Sequence, residues 1–229
     1  PDPELVAQLS SGGGYTLLEE LKFTETDIRF FYTRQSKPRG LADAVAHACE
    51  FVGDDHFVVA LGDSIIKGNN GASFLRDMMI AHLKSGAACT LAVEQVQPDE
   101  VHRYGIVKPK VGADTSANFE LDDLIEKPRP EAAPSNLAIA ARYIFSPVIF
   151  EAIRRTAPDR NGELQLTDSI KLLIQRGHKV CALPLRQDER RYDIGNFESY
   201  FKAFIDFALA DEKYGYMVRQ YLKRKAREI

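Results

Sequence analysis

Apolar residues recur along this chain in two rhythms. Short unbroken runs, "HFVVAL" (56–61), "ACTLAVEQV" (88–96), "LAIAARYIF" (137–145) and "KVCALPL" (179–185), read as strands, as do "DIRFFYT" (27–33), "YGIVKPKV" (104–111) and "DLIEKP" (123–128). The run at 56–61 has the character of a strand buried on both faces of a parallel sheet. Between these runs, "GLADAVAHACEFV" (40–52), "ASFLRDMMIAHLKSG" (72–86), "SPVIFEAIRRT" (146–156) and "LTDSIKLLIQRG" (166–177) repeat apolar residues at helical spacing. Ser146 is placed to cap its helix with Pro147 in the first turn, Thr167 or Asp168 to cap the next, and Gly86 and Gly177 to close theirs. The first fourteen residues, ending in Gly12–Gly14, read as a loose start, and a short helix is expected over 15–22. From Phe197 onward two helices are expected, broken near "KYGY".

Strand, helix, strand, helix, strand in the first half predicts an α/β domain with right-handed crossovers and a mostly parallel central sheet flanked by helices. The second half lacks full helices between its strands and predicts a mixed region beside that sheet. The whole of 1–229 reads as one domain, with 197–229 as its C-terminal helical segment.

Composition narrows the function. The 229 residues are 45% hydrophobic and 28% charged, and the net charge of −3 provides no basic field for nucleic acid or an anionic membrane. No apolar run reaches the roughly 20 residues needed to span a bilayer, and the first thirty carry no export pattern. Cys49, Cys89 and Cys181 lie far apart in apolar runs, as reduced core thiols of a cytoplasmic protein do. The five histidines have no metal-ligand spacing.

Candidate chemistry collects at strand ends, where ligand crevices of open α/β sheets lie. Asp63 follows "VVAL", Glu126-Lys127 follows "DLI", and Asp193 follows "RRY". Two carboxylates with open positions fit Mg²⁺, which takes one or two protein carboxylates plus phosphate oxygens. Gln35 precedes a Pro-Arg-Gly turn that opens a helix at Gly40 and could meet a planar base as both donor and acceptor. Gly105 within a strand suggests a close backbone approach. Asn136 stands at a strand start, with turn formation as its plainer role, and Glu163 and Asp168 read as capping groups. No Gly-x-Gly-x-x-Gly or Gly-rich Lys-Ser/Thr loop occurs, which disfavours dinucleotide oxidoreductases and P-loop NTPases.

Together, "GLADAV", "LGDSI", "YGIV", "IEKPRPEAAPSNLAIAARYIF", "GELQLTDSI" and "YDIGNFESYFKAF" resemble the sugar-1-phosphate nucleotidyltransferases over about Gln35–Phe207. Within them, the resemblance is to the bacterial UTP–glucose-1-phosphate uridylyltransferases. It implies a Rossmann-like nucleotidyltransferase fold, UTP and glucose 1-phosphate as substrates, UDP-glucose as product, and Mg²⁺ as cofactor. It implies that Gln35 and Gly40 read the base, and that Asp63 and Asp193 bind the metal. Gly105 and Glu126 would hold sugar hydroxyls, Lys127 would meet the sugar phosphate, and Asn136 would lie near the sugar. The family's opening strand and "G-x-G-T-R-x-x-P" loop do not occur in this sequence, so the fold is expected to be N-terminally incomplete by roughly a quarter of a usual chain. A thymidylyl or other sugar-1-phosphate nucleotidyltransferase, or a non-catalytic nucleotide-sugar-binding relative, stays open. The C-terminal helices fit packing on the chain's own core, and the resemblance adds self-association into a homo-oligomer. No nucleic-acid or membrane partner is expected.

Overall fold

The computed structural model describes Ala7, Ser11, residues 29–68 and residues 73–228. It divides into a unit ending at Arg34 and a unit beginning at Gln35. In the first, Ala7 and Ser11 are helical, within the stretch expected to be loose, while the helix expected over 15–22 lies outside the described residues. Residues 29–34 are irregular rather than the strand expected there. A strand exists only as part of a ladder, and these residues join none, whatever their apolar content.

The second unit opens with α1 (Leu41–Ala46) and α2 (Cys49–Val52), so the helix expected over 40–52 is broken at His47-Ala48. Next come β1 (Phe57–Ala60), β2 (Ser64–Lys67), α3 (Ser73–Ser85) and β3 (Cys89–Gln95). β4 (Gly105–Pro109), β5 (Phe119–Glu126) and β6 (Leu137–Phe145) follow, then α4 (Val148–Arg155) and α5 (Leu166–Gln175). β7 (Val180–Pro184), β8 (Arg190–Asp193), α6 (Phe197–Ala210) and α7 (Gly215–Lys225) complete it.

Among the described residues, six strands form one sheet in the order β1-β6-β3-β7-β5-β4. β1, β3, β7 and β4 run one way and β6 and β5 the other, so β3–β7 is the one parallel neighbour pair. The α/β sheet with flanking helices is as expected, but the sheet is mixed rather than mostly parallel, because β6 and β5 run against their neighbours.

Alternation along the strands sends side chains to two layers. Leu91 and Val93 of β3 and Tyr143 and Phe145 of β6 join the core formed with α1, α4 and α5, through Val45, Ile149, Ile153, Ile170 and Leu173. Ala92, Ala140 and Ile144 face the other way, onto Phe74 and Met78 of α3. β1 departs from expectation: Phe57 and Val59 pack on the core, but Val58 and Ala60 are exposed. Among the described residues it stands at the edge of the sheet with β6 as its neighbour.

The expected caps also differ. Pro147 is the N-cap of α4, and the Ser146 hydroxyl donates instead to the Ala88 carbonyl at 3.3 Å. Gln165 is the N-cap of α5, with no side-chain cap bond, which leaves Thr167 for another partner. In α6, Asn196 does cap, accepting from the Ser199 N–H at 3.0 Å. The C-terminal helices do not bury their apolar faces as expected: Phe197, Phe201, Phe204, Tyr216 and Met217 are exposed.

Candidate active site

Two short strands bring distant residues together. β2 and β8 form an antiparallel ladder that pairs Ser64 with Asp193, and the Ile194 N–H donates to the Asp63 carbonyl at 2.8 Å. Asp63 and Asp193, 130 positions apart, thereby become neighbours. Arg142 of β6 fixes the turn carrying Asp63, its guanidinium donating to the carbonyls of Leu61 (3.3 Å) and Ser64 (2.8 Å).

The space beside this pair is kept open by Gly195. A Cβ there would lie 3.3 Å from both Asp63 Oδ2 and Asp193 Oδ1, so those oxygens are no more than twice that distance apart. Two hard carboxylate oxygens facing a gap without a side chain fit a divalent cation whose remaining ligands come from phosphate and water. Among the described residues, no group of three or more acidic, histidine or cysteine side chains competes for that role.

The two carboxylates line a cavity of about 270 Å³, with Gly105, Glu126 and Lys127 on its other side. Gly105 pairs with Glu126 across β4 and β5. A side chain on Gly105 would meet Ile139 at 2.9 Å, Glu126 Oε2 at 3.2 Å and Thr167 Oγ1 at 3.3 Å. Its absence lets the Thr167 hydroxyl donate to Glu126 Oε2 at 2.6 Å. Lys127 Nζ lies 3.9 Å from Glu126 Oε1, and the Lys127 N–H donates to the Tyr104 carbonyl at 3.0 Å.

The cavity floor is strained. Ala141 has φ 56° at a register shift between β3 and β6, where its carbonyl accepts from the Leu61 N–H at 3.2 Å. Lys127 has φ 44°. Side chains with a Cβ are rarely held in this region, and when they are it is often where the geometry serves a ligand. Tyr143 also lines the cavity; burial above all, and then the charge of Glu126, raises its phenol well above the usual range, so it stands as a neutral donor.

Five expected site residues thus meet in one cavity: Asp63, Gly105, Glu126, Lys127 and Asp193. Gln35 and Gly40 do not line it but flank its Leu41 wall. The Gln35 amide donates to Asp43 at 2.6 Å and to the Gly40 carbonyl at 3.3 Å, and Gly40, at φ 97°, sits against the backbone of Leu164. Asn136 is not brought to the cavity; its carbonyl accepts from the Val96 N–H at 3.0 Å. Sequence reasoning missed Tyr104, Tyr143 and Arg191 and gave Thr167 a capping role. The alternation of "RRYD", which puts Arg191 on the face of Asp193, was the available signal for one of them.

An α/β sheet with paired carboxylates at one strand end and a Glu-Lys pair at another has the chemistry to meet a phosphorylated ligand, through a divalent cation on one side and a lysine on the other. Residues 12–209 match the nucleotidyl transferase family, and the chain belongs to that family. It is 36% identical over 228 residues to the UTP–glucose-1-phosphate uridylyltransferase of Streptococcus pneumoniae, which covers 99% of this chain and 74% of that protein. Among solved structures, a UTP-bound UDP-glucose pyrophosphorylase from Acinetobacter baumannii superposes with a TM-score of 0.84 at 30% identity, covering 97% of this chain and 75% of that one. A UDP-glucose pyrophosphorylase complexed with UDP-glucose gives 0.73 at 32% identity, over 80% and 67% of the two chains.

Proposed function

We propose that this protein transfers a uridylyl group from UTP to glucose 1-phosphate, giving UDP-glucose and pyrophosphate. The observation that carries this reading is the single cavity in which a carboxylate pair faces a Glu-Lys pair, on a chain related throughout to uridylyltransferases.

A phosphate oxygen of glucose 1-phosphate attacks the α-phosphorus of UTP in line, and pyrophosphate leaves. The nucleophile is already an anion, so no general base is required. The barrier lies in bringing two polyanions together, and positioning and electrostatics lower it. Lys127, 63% exposed at the cavity rim, is the cation that meets the attacking phosphate. Glu126, held from behind by Thr167, accepts from sugar hydroxyls, and the Gly105 backbone lets the sugar lie close. Gln35 and Gly40 are assigned to the uracil. Its amide N–H already faces two acceptors, so Gln35 has its carbonyl oxygen left for the base. Asn136 is assigned a place near the sugar only through the family pattern. Asp63 and Asp193 would hold Mg²⁺, which when bound supplies charge neutralisation to the phosphates.

The reading extends to the setting. All three cysteines are free thiols, in keeping with a reducing cytoplasm, and none of the described helices is long and apolar enough to cross a membrane. The exposed aromatic face of α6 and α7 is assigned to self-association.

Pyrophosphate release measured with UTP, dTTP and GTP in parallel, each with glucose 1-phosphate and Mg²⁺, tests the function. UTP should be preferred by at least tenfold. Equal rates with dTTP would overturn the uridylyl assignment, and calorimetric binding of UDP-glucose without turnover would make the protein a non-catalytic relative.

A further inference from the structure

A buried ion pair borders the site and has no place in the reaction as derived. Arg191 of β8 is 7% exposed, and its Nε donates to Oε1 of Glu94 in β3, itself one-fifth exposed. The guanidinium lies over the Tyr104 ring, 4.6 Å from its centroid. Its Nη1 is 3.9 Å from Asp193 Oδ2, too far for a hydrogen bond. Arg191 is shared by the walls of two cavities, the site itself and a neighbouring one of about 420 Å³ to which Glu94 belongs.

The placement matters because of what Arg191 would do without Glu94. Arg191 and Asp193 alternate onto one face of β8, so the backbone does not keep the guanidinium from the carboxylate. A guanidinium hydrogen-bonded to Asp193 would occupy the lone pairs that a divalent cation needs and cancel the charge that attracts it. Glu94 offers the guanidinium a charged acceptor in the neighbouring cavity, which Asp63 does not line.

We infer that Glu94 is a positioning residue that draws Arg191 off Asp193 and so keeps that carboxylate open to a divalent cation. The inference rests on the reading of Asp63 and Asp193 as the metal-holding pair. Glu94 need not touch substrate. Its effect passes through Arg191, as outer groups at metal sites commonly act through the ligands they orient.

The test is Mn²⁺ binding in the presence of UDP-glucose, followed by the electron paramagnetic resonance signal of free Mn²⁺. It compares the wild-type chain with Glu94→Gln, with Glu94→Gln/Arg191→Met and with Asp193→Asn. Glu94→Gln should weaken Mn²⁺ binding about tenfold, the lower end of what outer-shell changes at metal sites cost. The double variant removes the competing guanidinium and should return to within about threefold of wild type, since a buried pair replaced by groups of like volume is often near neutral for the fold. A merely structural role for Glu94 would leave the double variant at least as impaired as the single one, and that result overturns the inference. So does unchanged binding in Glu94→Gln. If Asp193→Asn binds as tightly as wild type, or wild type takes up no Mn²⁺, the metal-site reading falls and this inference with it.

Discussion

Thr167 Oγ1 and Glu126 Oε2 are 2.6 Å apart, joining the first turn of α5 to the end of β5 across 41 positions of sequence. The donor is buried and the acceptor is 27% exposed at the cavity wall. One carboxylate oxygen is therefore tied to the scaffold while the other is left toward Lys127 and the cavity. The hydrogen bond restrains the Glu126 side chain, which is the preorganisation that its proposed role as a sugar-binding acceptor needs.

Thr167→Val keeps the shape and removes the donor. We expect the KM for glucose 1-phosphate to rise about five- to tenfold with little change in the KM for UTP. Stability should fall by only about 1 kcal/mol, since Glu126 can turn to water. Steady-state kinetics with each substrate varied, together with thermal melts, check both expectations. Equal shifts in the two KM values would place Glu126 elsewhere than beside the sugar.

Much of this site could be read from the sequence because strand ends are local features. An apolar run that stops on an acid, as at Asp63, or on Glu126-Lys127, marks the end without knowledge of neighbours. What could not be read depends on partners far along the chain. β2, four residues long and joined to the apolar run before it, does not announce itself, and exists because it pairs with β8. Val58 is exposed because what covers a face of β1 is set by other parts of the chain, which its own apolar character does not specify. Thr167 looked like a cap from its position at a helix start, and only the close approach at Gly105 reveals its true partner. The left-handed Ala141 had no signal at all, since alanine does not mark such positions and the register shift in β6 imposes it.

Away from the site, a histidine should make stability depend on pH. His82 is 1% exposed; its Nδ1 lies 2.8 Å from Thr90 Oγ1 and its Nε2 lies 2.7 Å from the Nδ1 of His56. Burial first, and the neighbouring His56 second, lower its pKa from 6.5 to about 4. The unfolded chain thus takes up a proton near pH 6.5 that the folded one refuses until about pH 4. The contribution is full above pH 6.5, falls as the pH drops, and levels off near pH 4. It amounts to about 2–3 kcal/mol, toward the lower figure because His56 stands in solvent. Urea midpoints at pH 7.0 and 4.5 should differ by less in His82→Gln than in wild type; an identical pH dependence would remove His82 as the cause.

Gly40 opens α1 at φ 97°, and an added Cβ would lie 2.5 Å from the Leu164 carbonyl oxygen and 2.7 Å from its nitrogen. That contact is backbone on backbone, so no side chain can yield. The same junction carries hydrogen bonds from the Leu164 N–H to the Arg39 carbonyl (2.7 Å) and from the Ala42 N–H to the Leu164 carbonyl (3.0 Å). Gly40→Ala should destabilise the protein by about 3 kcal/mol or more, combining left-handed strain with overlap. An unfolding free energy within about 0.5 kcal/mol of wild type, from urea melts, would show that the turn shifts freely.

Lys127 allows fold and function to be separated at one residue. Its φ of 44° costs a residue with a Cβ about 1 kcal/mol, and its exposed side chain returns little, because an ion pair of 3.9 Å at the surface is worth under about 1 kcal/mol. Lys127→Gly relieves the strain and keeps the N–H that donates to Tyr104. Its unfolding midpoint should match or exceed that of Lys127→Ala, with the difference read from paired urea melts. Its KM for glucose 1-phosphate should nevertheless rise at least tenfold, with a smaller change for UTP. On the proposed reading, a lysine held at a backbone angle that glycine would satisfy better is accounted for by the phosphate it would meet. If Lys127→Gly used glucose 1-phosphate as well as wild type does, that account would be wrong.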